Sequence, residues 1–179
     1  LHSLIVQINL YDEILIKENS KKKNIIFFLG KYKANRQNNT VINLLKLMKK
    51  KFSSLRYKNF DIYIKKNIPN GSGLGGASSN AVTVFNFINN KYKLQISDKE
   101  SRKLLAKIGK DCPLFLNQKV KLIKSPGEKF TEFKDNPKLN MLLIYPNLAL
   151  STKNVFKKLK KISNISLKRS INLKNKKKL

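Results

Sequence analysis

The sequence predicts an α+β fold. Short apolar segments typical of strands occupy residues 4–10, 14–18 and 25–29, and segments with apolar residues three and four positions apart, typical of helices, follow them. The 179 residues suffice for one domain with a sizeable core, while two full domains would be cramped. We therefore expect one main domain with helices and strands in separate layers.

The first third of the chain is predicted to contain four strands and one helix. The helix is expected at residues 41–51, where either Asn39 or Thr40 can cap its N-terminus with a side-chain oxygen. The strands are expected at residues 4–10, 14–18, 25–29 and 61–65.

A glycine-rich run at residues 69–81 holds four of the chain's seven glycines, beside Ser78 and Ser79. Glycines let backbone N–H groups approach an anion and adopt positive φ. Apolar residues recur at helical spacing up to Ile88, so the run opens a helix whose positive dipole end faces the same anion. The run predicts a phosphate-binding loop, although it fits neither the Walker loop nor the dinucleotide fingerprint. A plain glycine-rich surface turn is the alternative.

A second helix is predicted after the loop helix. Ser97 is its candidate N-cap, Glu100 occupies the capping-box position, and Leu104, Leu105 and Ile108 form its apolar stripe. This helix delivers Asp111 just past its end. The last predicted elements are strands at residues 120–123 and 141–145 and a helix at residues 153–162.

The net charge of +29 and the pI near 10.3 are by themselves typical of a nucleic-acid-binding protein. Against this, the charge is spread from Lys17 to Lys178, and lysine outweighs the arginine that bidentate recognition favours. We therefore predict no specific nucleic-acid partner. The single cysteine cannot form an intramolecular disulfide, and no leader or long apolar segment suggests export or membrane insertion, so a cytoplasmic location is expected.

The run from Pro69 to Ala81 reads Pro-x-Gly-x-Gly-Leu-Gly-Gly-x-Ser-Ser-Asn-Ala and resembles the ATP loop of the GHMP kinase superfamily. Within it the chain is similar to the 4-diphosphocytidyl-2-C-methyl-D-erythritol kinase family of the non-mevalonate isoprenoid pathway. Three segments carry that similarity. Residues 108–115 resemble Leu-Gly-x-Asp-Val-Pro-Phe-Phe with Cys112 in place of valine, residues 125–128 resemble a Gly-x-Gly-Glu turn, and residues 146–156 resemble Pro-x-x-x-x-Ser-Thr-x-x-Val-Phe.

The resemblance implies a GHMP-kinase N-terminal domain (ribosomal protein S5 domain 2-like) over residues 1–145, incomplete at its start. It implies a chain that lacks the first strand and most of the C-terminal domain of the family. Residues 146–179 would then be the beginning of the C-terminal domain or a basic tail.

The resemblance also implies an activity. An ATP-dependent kinase would transfer the γ-phosphoryl group to a hydroxyl of a cytidine diphosphate-linked methylerythritol, with ATP and Mg²⁺ as cofactors. Asp111 would bind this substrate, orient its hydroxyl and accept its proton, and Phe156 would stack on the cytosine. Asn39 and Lys66 would lie near the adenine, and Ser78 or Ser79 near the phosphates and Mg²⁺; no protein metal ligand is assigned. The implied nucleotide-binding loop consists of Pro69, Asn70, Gly71, Ser72, Gly73, Leu74, Gly75, Gly76, Ala77, Ser78 and Ser79.

Two other functions stay open at this point. A chain without the family's N-terminal lysine and C-terminal glycine-rich loop could bind nucleotide and not turn over. A basic nucleic-acid-binding protein is the other alternative. The sequence predicts no oligomeric state.

Overall fold

The structure is a computed structural model that describes residues 2–32, 39–124, 129–133 and 140–145. The chain divides into two compact units, a larger unit of Asn9–Asn117 and a smaller unit drawn from Leu1–Ile8 and Gln118–Leu179. The predicted division at residue 145 stays a prediction, because residues 146–179 lie outside the described residues.

The described elements are six strands and three helices, with runs of strands and of helices in succession, which agrees with the α+β prediction. Single 3₁₀ turns lie at Ser53–Leu55 and Cys112–Phe115. In chain order the elements are β1 (His2–Ile5), β2 (Glu13–Asn19), β3 (Ile25–Gly30), α1 (Thr40–Lys51), β4 (Asn59–Lys66), α2 (Gly76–Lys91), α3 (Asp98–Ala106), β5 (Lys121–Lys124) and β6 (Lys129–Glu132).

The larger unit is built on a sheet in which β4 is the central strand. The strand order is β2-β4-β3, with β4 antiparallel to β2 and parallel to β3. Parallel neighbours need a crossover, and α1 lies in the connection from β3 to β4. Alternate residues of β4 point to opposite faces, so Phe60, Ile62 and Ile64 are buried while Tyr63 stacks on Phe27 at a centroid distance of 4.6 Å on the other face.

The helices bury one face each in the core of the larger unit. In α1 the buried residues Val41, Leu44, Leu45 and Met48 recur three and four positions apart, as an amphipathic helix requires. The same spacing in α2 buries Ala81, Val84, Phe85 and Ile88. The core joins these helix faces to the buried side of β4.

The smaller unit contains an antiparallel sheet of order β1-β5-β6. The strand predicted at residues 4–10 is shorter than expected, because the register pairs Ile5 with Lys121, the first residue of β5, and β1 ends there. The strand β6 was not predicted, since four residues are too few for a recognisable alternation.

The strand predicted at residues 141–145 is wrong. These residues form no strand, and Met141, Leu142, Leu143 and Ile144 are 47% to 88% exposed. A strand needs a neighbour for its hydrogen bonds, and within the described ranges no strand pairs with this segment. The helix predicted at residues 153–162 lies outside the described residues.

Two substitutions in the β2-β4-β3 sheet test which of its faces packs against the core. Ile62→Ala removes a side chain that is 0% exposed on the core face of β4, and we expect it to lower the free energy of unfolding by about 2 to 5 kcal/mol. Leu15→Ala is the control, since Leu15 in β2 is 54% exposed and its loss is expected to cost only about 0.5 kcal/mol. Urea unfolding of both variants measures the difference, and equal costs would contradict the assigned core face.

Candidate functional site

The loop between β4 and α2 has an alternating backbone. Gly71, Gly73 and Gly75 have φ of 69°, 76° and 71°. Ser72 and Leu74 between them are not among the described residues with positive φ, so the sign of φ alternates along the loop. Such alternation turns successive N–H groups toward one side and forms a concavity that binds anions.

Packing also leaves little room for a side chain at two of the loop glycines. A Cβ at Gly75 would lie 2.5 Å from Cζ of Phe115, and a Cβ at Gly76 would lie 3.0 Å from Cγ2 of Ile68. At Gly73 nothing lies within 4 Å of such an atom. The start of α2 is therefore held between two apolar side chains, while the middle of the loop is open.

The N-terminus of α2 has no side-chain cap. Asn39 Oδ1 accepts from the N–H of Val41 at 2.8 Å to cap α1, and Ser97 Oγ accepts from the N–H of Glu100 at 3.3 Å to cap α3. The N-cap of α2 is Gly75, which offers no side chain, and its first turn holds no acidic residue. The first N–H groups of a helix lack partners inside the helix, so this end attracts an anion.

An open cavity of about 320 Å³ lies at this helix end, within the larger unit. Thr40 Oγ1 donates to the carbonyl oxygen of Ala77 at 2.9 Å, which holds the starts of α1 and α2 together at the cavity. The volume is within the range of small-ligand sites. The lining residues are Phe28, Asn39, Thr40, Val41, Ile64, Lys66, Asn70, Gly71, Ala77 and Asn80.

A buried ion pair lies beside the cavity. The side chains of Asp12 and Lys66 are 0% and 4% exposed, and Lys66 Nζ donates to Asp12 Oδ2. Asn80 Nδ2 donates to the same oxygen at 2.8 Å, and the N–H groups of Asn67 and Ile68 donate to Oδ1 at 2.8 Å each. Burial alone would raise the pKa of Asp12, but Lys66 and the three N–H donors together lower it below the ordinary value of 3.8.

Asp111 lies on a turn that packs against the loop. It is exposed, and its carbonyl oxygen accepts from the N–H of Leu114 at 3.0 Å at the start of the 3₁₀ turn. The next residue, Cys112, is fully buried and its thiol hydrogen-bonds with Ser78 on α2. Burial raises the pKa of the thiol, the Ser78 hydroxyl opposes this rise, and the nearby Asp111 carboxylate adds to it. With Phe115 on Gly75, this turn contacts both the loop and the first turn of α2.

The structure brings five of the predicted nucleotide-binding residues to the cavity, namely Asn39, Lys66, Asn70, Gly71 and Ala77. Other predicted residues form hydrogen bonds within the loop and the start of α2. Ser72 Oγ donates to the carbonyl oxygen of Pro69 at 2.8 Å, and the N–H of Ser79 donates to the carbonyl oxygen of Gly75 at 2.9 Å. Gly73, Leu74, Gly76, Ser78 and Asp111 do not line the cavity. Phe156 and residues 125–128 lie outside the described residues, and the individual roles stay predictions.

Sequence reasoning missed Asp12, Asn80, Thr40 and Phe28 as residues of the site. Asn80 stands in the glycine-rich pattern itself, so its place at the start of the helix was a usable signal. Asp12 bonds to residues 54 to 68 positions away, so only the folded chain reveals these pairings.

Comparison with known proteins agrees with this architecture. Residues 39–117 match the family model of the GHMP kinases N terminal domain. The chain is 34% identical over 164 residues to the 4-diphosphocytidyl-2-C-methyl-D-erythritol kinase of Pelagibacter ubique (strain HTCC1062), covering 91% of this chain and 58% of the relative. It is 41% identical over 125 residues to the kinase of that name from Francisella tularensis subsp. novicida (strain U112), covering 69% and 44%.

A crystal structure of 4-(cytidine 5'-diphospho)-2C-methyl-D-erythritol kinase superposes with a TM-score of 0.68 at 21% identity, over 87% of this chain and 54% of that chain. This likeness confirms the predicted fold class. The chain spans about half the length of the curated relatives it matches. None of the helices in the described part of the chain combines the length and hydropathy that a membrane span needs. The same residues hold no group of three His, Cys, Asp or Glu side chains placed to bind a metal ion.

The packing of the loop is tested by two glycine substitutions. Gly73→Ala faces open space and is expected to cost only the left-handed backbone, about 1 to 2 kcal/mol. Gly75→Ala adds a collision with Phe115, and we expect a further loss of about 1 to 3 kcal/mol in the free energy of unfolding. In a Phe115→Ala background the extra cost of Gly75→Ala should disappear. Urea unfolding of the wild type, the three single variants and the double variant measures these costs, and an extra cost that persists without the ring would contradict this packing.

The buried carboxylate predicts a pH dependence. Because the pKa of Asp12 is lowered in the folded state, its contribution to stability is full above the ordinary pKa of 3.8 and is lost as the pH falls below it. Asp12→Asn is expected to destabilise the fold at pH 7 by about 3 to 5 kcal/mol. The difference between wild type and variant should narrow as the pH falls toward 3, measured by urea unfolding. A difference that stays constant over this range would contradict the lowered pKa.

Proposed function

Since the chain carries a GHMP kinase N-terminal domain at residues 39–117, we propose that it binds ATP in the cavity at the start of α2. There it transfers the γ-phosphoryl group to a hydroxyl of 4-diphosphocytidyl-2-C-methyl-D-erythritol. The observation that carries the proposal is the uncapped helix N-terminus behind a loop of alternating glycine φ. The acceptor follows from the names of the relatives, over the half of their length that this chain spans.

The loop and helix suit a polyphosphate. N–H groups of the loop concavity and the first turn of α2 donate to phosphate oxygens, and the helix dipole adds a positive potential at the same place. No acidic residue stands in this first turn to oppose the ligand. Gly71 and Ala77 line the cavity without side chains that would block the approach of phosphate.

The inner part of the cavity suits an adenine. Phe28, Val41 and Ile64 supply apolar surface for the flat ring. Asn39 uses its oxygen to cap α1, so its NH₂ group is what it offers to a ring nitrogen. The ammonium of Lys66 is held at the wall by Asp12 and offers a second donor. A purine is a flat apolar ring with acceptor nitrogens at its edge, so hydrogen-bond donors next to apolar side chains suit it.

Phosphoryl transfer requires positioning and charge stabilisation more than covalent catalysis. The acceptor oxygen forms a bond to the γ-phosphorus while the bond from that phosphorus to the β–γ bridging oxygen breaks, and ADP leaves. In the proposal Asp111 accepts the proton of the attacking hydroxyl, which needs contact at about 2.6 to 3.2 Å in the complex. Its turn packs on the loop through Cys112 and Phe115, so acceptor and phosphates are held by neighbouring parts of one unit.

Mg²⁺ bound with the nucleotide supplies charge neutralisation at the phosphates, since this ion usually binds through substrate phosphates and one or two protein groups. By the resemblance, the hydroxyl of Ser78 or Ser79 would lie near the phosphates and this ion. The stacking of Phe156 on the cytosine and the cytoplasmic location stay predictions.

The charge favours a second candidate function. With a net charge of +29, the chain suits binding to a nucleic acid through its phosphate backbone. Such binding would fall steeply with salt and would not depend on Asp111. A chain that binds the nucleotide but transfers no phosphoryl group is the third alternative. It would bind Mg-ATP as the kinase does and would show no activity in the transfer assay.

Calorimetry with Mg-ATP at physiological salt tests the nucleotide site. We expect saturable one-to-one binding, and we expect Gly75→Asp to abolish it, because the variant places a negative charge in the loop and a side chain against Phe115. Binding that survives this substitution would place the nucleotide elsewhere. Absence of binding in the folded wild type would contradict the proposal.

Transfer of labelled phosphate to the cytidine diphosphate-linked acceptor tests the chemistry. Asp111→Asn is expected to lower the rate by about 10² to 10⁴-fold while the affinity for Mg-ATP changes little, because only the proton acceptor is removed. Asp98→Asn, an exposed aspartate in the first turn of α3, is the matched control and should keep the wild-type rate. Equal rates in both variants would exclude Asp111 from the reaction.

A further inference from the structure

Both ends of the loop at residues 69–79 are attached to one buried carboxylate. We infer that Asp12 is a positioning residue that fixes the loop in its anion-binding conformation before a nucleotide arrives. The inference rests on the proposed function for its ligand, while the geometry of the attachment does not depend on that function. Asp12 is not among the residues that line the cavity, so it acts through others.

The two carboxylate oxygens of Asp12 together bond to both ends of the loop. Oδ1 accepts from the N–H groups of Asn67 and Ile68, the residues through which the chain leaves β4 and enters the loop. Oδ2 accepts from Nδ2 of Asn80, in the first turns of α2, where the chain leaves the loop. Oδ2 also accepts from Nζ of Lys66, so the last residue of β4 is fixed at the same point. The loop therefore begins and ends on a single side chain.

The attachment leaves little freedom of movement. The Asp12 side chain is 0% exposed and each of its oxygens accepts from two donors, so breaking any one of these bonds weakens the hydrogen bonding of a buried charge. The other acidic residues of this sheet differ: the side chains of Glu13 and Lys65 are 53% and 55% exposed, and Asp61 pairs with a Lys21 that is 54% exposed. In both of these pairs at least one side chain is more than half exposed.

The position of the Asp12–Lys66 pair indicates that it orients the loop, rather than that it adds to the free energy of unfolding. A well-packed apolar pair generally stabilises a fold as well as a buried ion pair does. A carboxylate, unlike an apolar side chain, fixes the direction of main-chain N–H groups on one side and of an amide on the other. Two of its partners, Lys66 and Asn80, line the cavity. Fixing these groups in advance raises the fraction of molecules that are competent to bind, and apparent affinity rises with that fraction.

Three variants of the full chain test the inference. Asp12→Asn weakens both attachments, Asn80→Ala cuts only the attachment to α2 and leaves the ion pair with Lys66 intact, and Asp61→Asn is the matched control on the outer face of β4. The first measurement is amide hydrogen exchange of residues 67–82 without ligand. The second is the affinity for Mg-ATP and for AMP by calorimetry, under conditions where urea unfolding shows each protein to be folded.

We expect faster exchange of residues 67–82 in Asn80→Ala and in any folded Asp12→Asn, with no change in the control. We also expect the affinity for Mg-ATP to fall by about 10-fold, as it does when the competent fraction drops to a tenth, and the affinity for AMP to fall less, because the loop holds the outer phosphates. A general loss of stability would not change the ratio of the two affinities.

Wild-type exchange and wild-type ATP affinity in Asn80→Ala would overturn the inference, whatever the fate of Asp12→Asn. If the wild type itself binds no Mg-ATP, the proposed function fails, and the exchange measurement still decides between an attached and an unattached loop. If the wild type binds and neither variant differs from it, the positioning role fails while the nucleotide site stands.

Discussion

The buried interaction between Asp12 and Lys66 joins the parts of the larger unit that meet at the cavity. It links the chain just before β2, the last residue of β4 and, through Asn80, the start of α2. A buried charge is tolerated only when it is paired and hydrogen-bonded, so the backbone around it has to supply the remaining donors. The course of the chain from β4 into the loop follows from that requirement.

The N-terminus of α2 has no side-chain cap, and this makes it the local positive end of the site. In a chain with a net charge of +29, surface lysines alone provide only a diffuse attraction for phosphate. The uncapped start of α2 makes this attraction local and directional, because its N–H groups are fixed in space by the helix. The contrast with α1 and α3, which carry side-chain caps, explains why the ligand is expected at this helix and at neither of the others.

The sequence was most informative where local physics decides the structure. The caps Asn39 and Ser97 and the glycine run could be predicted, because hydrogen bonding and positive φ are properties of a few adjacent residues. The failed strand at residues 141–145 shows the limit, since apolar composition does not supply a pairing partner. Asp12 was missed as part of the site for a related reason: its partners lie 54 to 68 positions away and come together only in the folded chain.

The contact of Phe115 with Gly75 couples the position of the loop to the position of the Asp111 turn. Because the ring occupies the space that a side chain at position 75 would fill, neither segment can shift far without displacing the other. In the proposed function, a nucleotide that orders the loop would also order the turn, and by thermodynamic linkage an acceptor that orders the turn would favour the loop by the same free energy. Cooperativity between the nucleotide and the acceptor of the proposed kinase would therefore depend on the absence of a Cβ at Gly75.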